Sequence, residues 1–103
     1  MYIIAYTTTA DFKEAKRIAS HLVDNKLAAC VNIHPISSVY RWNGKVEDDE
    51  EFAVSIKTVS KHFDTICEVI RSMHSYELPA IISWEIDGDK DYLDWILEST
   101  TNK

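Results

Sequence analysis

Asn43-Gly44 sits between two long β-prone segments, and that arrangement decides most of what the chain can become. The dipeptide is the preferred centre of a two-residue hairpin, because both positions need positive φ. The return segment, Val46–Val59, alternates cleanly at Phe52, Val54 and Ile56. The outgoing segment, Ala28–Trp42, changes phase: its apolar positions are Ala29, Val31 and Ile33 before Pro35, then Ile36, Tyr40 and Trp42 after it. A one-residue slip exchanges the two faces of a strand, so this pattern predicts a bulge or bend near Pro35. Strands of about 14 residues at ~3.3 Å per residue reach up to ~45 Å. A domain of this size has a radius of gyration of only ~13 Å. The hairpin must therefore project as an arm, presenting Tyr40, Trp42 and open strand edges. Such edges invite aggregation unless another chain pairs with them, so a specific oligomer is expected.

The remaining segments supply a core for that arm. Tyr2–Thr8 is β-branched and aromatic and carries apolar groups on both faces, which predicts a central strand covered on both sides. Asp11 opens a helix, with Glu14 placed for a capping box and Phe12, Ala15, Ile18, Leu22 and Val23 on the buried stripe. Ser60 is the expected N-cap of a second helix, buried through Phe63, Ile66, Val69, Ile70 and Met73. A loop over residues 74–79 leads to a last strand at about Ala80–Ile86, and Asp87-Gly88 turns the chain into a terminal helix. The order is βαββαβ plus a C-terminal helix, an α+β class with an antiparallel sheet and the ferredoxin-like arrangement. The 103 residues, 46% hydrophobic, make one domain, residues 1–103.

Composition narrows the chemistry. A formal net charge of -6 argues against nucleic acid as a partner, since phosphate binding needs a basic surface. Much of that charge lies in Glu47-Asp48-Asp49-Glu50-Glu51, read as a solvated hairpin end, with a cation site as the lesser alternative. No apolar run approaches the ~18 residues of a membrane span, and no leader pattern opens the chain, so a cytoplasmic protein without membrane insertion is expected. Cys30 and Cys67 are far apart and fit a reducing compartment. Gly44 and Gly88 both fall in turns, leaving no phosphate-cradling loop. No Ser-His-Asp arrangement can be assembled, and a binding protein rather than an enzyme is expected. An acylphosphatase would need a Gly-rich anion loop where the chain reads Thr7-Thr8-Thr9-Ala10-Asp11.

Five residues carry open alternatives. Cys30 is a small core filler or a soft-metal ligand. His74 follows a helix, where it either serves the dipole or contacts a ligand. Lys57 is a surface lysine or the charge of an anion pocket. Tyr40 and Trp42 are hairpin or interface aromatics before they are base-stacking platforms.

Ordered signatures run along most of the chain: Leu27-Ala28-Ala29-Cys30-Val31-Asn32-Ile33, Tyr40-x-Trp42-x-Gly44-Lys45, Lys57-Thr58, His74-x-Tyr76-x-x-Pro79 and Gly88-x-x-x-Tyr92-Leu93-x-Trp95. In order and spacing they resemble the CutA divalent-cation-tolerance family. The resemblance implies a homotrimer similar in architecture to PII signalling proteins, with hairpins pairing between subunits. It implies a response to divalent metal, copper in particular, with copper or another divalent cation as the bound ion. The family's metal ligands fall on Cys30 and His74, and Ala80 stands where the family has an acidic third. Lys57, Trp42, Tyr40, Tyr76 and His74 resemble the lining of a ligand cleft between subunits. If Lys57 and His74 face that cleft, a small anionic ligand is the expected guest. The alternative function is a structural or signalling trimer that binds a protein partner without metal.

Overall fold

The computed structural model describes residues 1–102. Its elements are β1 (Tyr2–Thr9), α1 (Phe12–Asp24), β2 (Cys30–Trp42), β3 (Lys45–Val59), a 3-10 turn at Ser60–His62, α2 (Phe63–Met73), β4 (Ile82–Glu85) and α3 (Lys90–Ser99). The strands form one antiparallel sheet in the order β2-β3-β1-β4. This is the ferredoxin-like order expected from the pattern, with β1 central. The last strand is shorter than the expected Ala80–Ile86, although the Ile86 N–H still donates to the Tyr2 carbonyl at 3.0 Å.

Directly paired residues share a face, so the register sorts the sheet into two sides. One side carries Ile3 and Ala5 opposite Thr58 and Ile56, and it is sealed by Ala15, Ile18 and Leu22 of α1 with Ile66 and Ile70 of α2. Phe12 and Val23 were expected on this stripe but are 51% and 41% exposed. Each lies at a margin of α1, and Phe12 touches the core only edge-on, against Phe52 at 5.9 Å between ring centroids. The other side carries Tyr2, Ile4, Tyr6 and Thr8, which are only half buried. The expected double covering of β1 is thus complete on one side and partial on the other, where α3 lies near its start.

Pro35 makes no bulge. Every pair from Cys30↔Lys57 to Trp42↔Lys45 follows without interruption. The change of phase has a different cause. Val31 and Ile33 face the helices; Ile36, Tyr40 and Trp42 point to the other side, once the arm has run past the helical layer. The apolar face changes while the strand does not slip. β2 is an edge strand, where a proline nitrogen can face the free side without breaking the ladder. The molecule extends 46 × 25 × 21 Å, the long dimension expected of the arm.

Asn43 (φ 51°) and Gly44 (φ 79°) build the turn as the sequence requires. A methyl at Gly44 would meet no atom within 4 Å, so its cost is backbone strain alone. Gly44→Ala is expected to lower stability by about 1 kcal/mol in denaturant unfolding, with secondary structure unchanged by circular dichroism. A neutral result would mean that the left-handed turn is not required. Contrary to expectation, Ser60 does not cap α2. It begins the 3-10 turn, and His62 occupies the cap position without a side-chain cap bond. Asp89 caps α3 by accepting from the Tyr92 N–H at 3.1 Å.

Candidate functional site

The segment after α2 is fixed by two buried side chains. His74 Nε2 lies 2.7 Å from the Thr8 carbonyl oxygen, which can only accept, so this nitrogen carries the proton. Nδ1 accepts from the Tyr76 N–H at 3.0 Å, which makes the ring the neutral tautomer. Glu14 lies alongside: its Oε2 accepts from the Ser75 N–H at 2.6 Å and its Oε1 from the Ser75 hydroxyl at 3.0 Å. Its reciprocal cap bond comes from the Ala10 N–H at 3.3 Å, one residue before the usual partner. The 3.6 Å between His74 Nδ1 and Glu14 Oε2 is therefore proximity and not an ion pair, because Nδ1 is accepting.

This anchoring sets Tyr76, whose ring centroid is 4.7 Å from that of His74. Its hydroxyl donates to Glu51 Oε2 at 2.7 Å. One strand over, Tyr40 donates to Asp49. Between arm and loop lies an open groove of ≈950 Å³. Its aromatic walls are Tyr40, Trp42 and Tyr76; Glu51 and Glu77 supply carboxylates; Leu78 and Pro79 close the loop side. Glu51 is only 6% exposed.

Both phenols are held in the neutral form. Tyr76 is pushed up by burial first and by the Glu51 carboxylate second. Tyr40 is raised from 10.0 to about 12, chiefly by its hydrogen bond to Asp49. Since the folded value is the higher one, this contribution is complete below pH 10.0 and is lost as pH rises towards about 12. Spectrophotometric phenolate titration is expected to show late components, of which the one at about pH 12 disappears in Tyr40→Phe and shifts to lower pH in Asp49→Asn. An unchanged titration in Asp49→Asn would show that the carboxylate is not the cause.

The chain brings Tyr40, Trp42 and Tyr76 together and leaves the other sequence candidates elsewhere. Lys57 is six residues along β3 from Glu51, about 20 Å at strand spacing. Its Nζ donates to the Tyr92 hydroxyl at 3.3 Å and lies 5.4 Å from that ring's centroid. Cys30 pairs with Lys57 at this same end and is half buried, with Sγ 3.9 Å from Asn32 Oδ1. His74 lies behind Thr8 with both ring nitrogens committed, so it neither lines the groove nor meets Cys30 within one chain. The register puts four residues, about 13 Å, between the row holding Cys30 and the row holding Thr8. The acidic run is not a cluster either: Glu47, Asp49 and Glu51 share one face, Asp48 and Glu50 the other. Among the described residues no group of three or more His, Cys, Asp or Glu could hold a metal ion.

Sequence reasoning missed Glu51 and Glu14 as organising groups. Glu51 was readable in principle, because counting back from Asn43-Gly44 places it opposite Ile36, on the face of Tyr40 and Trp42. Glu14 looked like a local cap, and nothing local shows that Ser75 will return to it.

Comparison with known proteins gives a consistent result. Residues 3–99 match the family model described as CutA1 divalent ion tolerance protein. A divalent-cation tolerance protein CutA of Archaeoglobus fulgidus is 45% identical over 100 residues, which is 96% of this chain and 98% of that protein. A chloroplastic CutA protein of Arabidopsis thaliana is 41% identical over 102 residues; the match takes in 97% of this chain but 56% of that longer protein. Among solved structures, the periplasmic divalent cation tolerance protein CutA from Archaeoglobus fulgidus superposes with a TM-score of 0.96 at 44% identity, covering 98% of this chain and 100% of that one. The divalent cation tolerance protein Cut A1 from Thermus thermophilus gives a TM-score of 0.94 at 38% identity, covering 98% and 100%.

Proposed function

The chain belongs to the CutA1 divalent ion tolerance family, and from that premise we propose that it works as a homotrimer in the response to metal ions, by binding and not by catalysis. The observation that supports assembly is the sheet side turned away from α1 and α2. Trp84, Tyr92 and Trp95 stand half exposed there, between the free edges of β2 and β4. A ligand-binding oligomer also accounts for the groove. A cytoplasmic location suits two free cysteines, and among the described residues no helix is long and apolar enough to cross a membrane.

The residues fit a resident metal poorly within one chain. His74 has no free nitrogen, Ala80 offers no ligand, and only the Cys30 thiol remains for copper or another soft ion. Metal binding is therefore weak and dominated by Cys30, with any further ligands drawn from neighbouring subunits. Titration with copper(I) under reducing conditions, against a competing chelator, tests this. Cys30→Ser is expected to lose at least tenfold in affinity, and equal binding by parent and variant would remove the thiolate from the reading. A trimer that docks a protein partner is the second reading. Val39 and Val46, 71% and 64% exposed on the outer face of the arm tip, favour it.

A further inference from the structure

The outward side of α1 is a surface that neither the proposed assembly nor the groove explains. Lys13, Lys16, Arg17 and Ser20 recur there at helical spacing, away from the core, and all are exposed. Among the described residues no carboxylate lies within ion-pair distance of these cations. Arg17 donates to the Met73 carbonyl at 3.4 Å, a contact that leaves its charge unopposed. The nearby acids do not offset them: Asp11 caps the helix, Glu14 is buried against Ser75, and Asp24 stands at the far end. The face is basic in a chain whose net charge is -6. Along its margin run the exposed Phe12 and Val23. Phe12, Lys16 and Val23 stand at i, i+4 and i+11, which on a helix is one stripe about 16 Å long. A single exposed apolar side chain needs no explanation, but a stripe of them beside unpaired cations has the make-up of a contact surface.

From this we infer that the outward face of α1 docks an acidic segment of another protein, one that carries large apolar side chains beside its carboxylates. Lys13, Lys16 and Arg17 receive the carboxylates, and Phe12 and Val23 receive the apolar groups. An anionic membrane is the poorer partner. Its surface spans the whole molecule, so the net charge of -6 opposes the approach. Assembly through the opposite side of the sheet also turns the α1 faces of a closed trimer in different directions, and one plane cannot meet them together. A partner with several acidic segments can engage more than one α1 face of the same trimer, which raises avidity. The inference rests on the proposed assembly only for this outward placement. It involves neither the groove nor a metal, and it puts the partner at a surface other than the arm tip.

The probe is a fluorescein-labelled helical peptide of about 14 residues, long enough to span the stripe, with leucine on one face and glutamate on the other. A second peptide carries lysine in place of glutamate. Titrated with the intact protein and followed by anisotropy, the acidic peptide is expected to bind about tenfold or more tighter, with a preference that fades as salt rises. Lys16→Glu is expected to cost about tenfold, and Phe12→Ser or Val23→Ser about threefold or more. Lys61→Glu makes the same charge change beside Met1 and Leu97, away from the stripe, and is expected to stay within about twofold of the parent. Equal affinity for the two peptides, equal loss in Lys16→Glu and Lys61→Glu, or no measurable binding of the acidic peptide would each overturn docking on α1. Vesicles of phosphatidylserine and phosphatidylcholine test the membrane. If they bind more tightly than the acidic peptide, and Lys16→Glu abolishes this, the face is a membrane contact and the protein partner falls. Sedimentation of each variant separates this inference from the assembly. Loss of the trimer in Lys16→Glu or Phe12→Ser would assign the face to the subunit interface and overturn docking. A monomeric parent that still prefers the acidic peptide would defeat the assembly and leave docking in place.

Discussion

Sedimentation at micromolar concentration is expected to give one species of about 36 kDa, three times the 11.9 kDa of one chain, with no monomer boundary. Three features of the single chain call for it. The arm carries Tyr40 and Trp42 on the side away from the helices, where each keeps more than a third of its surface exposed. β2 and β4 both end the sheet with unpaired backbone groups. Ile82 and Trp84 of β4 are exposed on the same side as Tyr40 and Trp42. Closed threefold symmetry lets each arm cover a neighbour and leaves no edge to recruit further chains. Trp42→Ala is expected to weaken assembly more than Trp84→Ala. Trp84 keeps an aromatic partner in its own chain, Tyr6 at 6.1 Å between centroids, whereas among the described residues Trp42 has none. A well-folded monomer at these concentrations would defeat the argument from the arm, and equal loss of trimer in both variants would remove any special role for the tip.

The sequence made the arm legible because its signals are local. Asn43-Gly44 dictates a turn, the turn dictates a register, and strand length dictates reach. The same pattern misled at Pro35, because a phase change has two physical causes: a slipped residue, or a change in which face is covered. Only the position of the helical layer distinguishes them. The groove was half legible. Tyr40, Trp42 and Tyr76 could be named from motif spacing, but their carboxylate partners depend on cross-strand pairing and on a loop that returns from residue 76 to residue 51. Lys57 shares a strand face with Glu51, which made it a natural candidate for the cleft, and the distance along β3 is what separates them. His74 was placed in the right loop with the wrong role. Whether an imidazole offers a nitrogen is decided by partners far away in sequence, here the carbonyl of Thr8.

Glu14→Ala is expected to be among the most destabilising single changes in this chain, at about 3 kcal/mol or more. As a simple cap residue Glu14 would contribute only ~1 kcal/mol. The structure gives it more to do: one buried carboxylate accepts from the Ser75 N–H, the Ser75 hydroxyl and the Ala10 N–H, joining the start of α1 to the segment that follows α2. Removing it strands those donors and loosens the residues that orient His74 and Tyr76. Glu14→Gln divides the effect. Its carbonyl oxygen can still accept at one position, but its amide group then meets a donor at the other, so about half of the loss is expected. Stability must be compared as denaturant midpoints at one fixed chain concentration, because assembly adds to apparent stability by mass action. The phenolate titration of Tyr76 gives an independent readout: with its loop released, the phenol moves away from Glu51 and ionises at lower pH than in the parent. If Glu14→Ala costs no more than an ordinary cap and leaves the Tyr76 titration where it was, the carboxylate serves the helix alone, and the loop that shapes the groove is held by His74 without it.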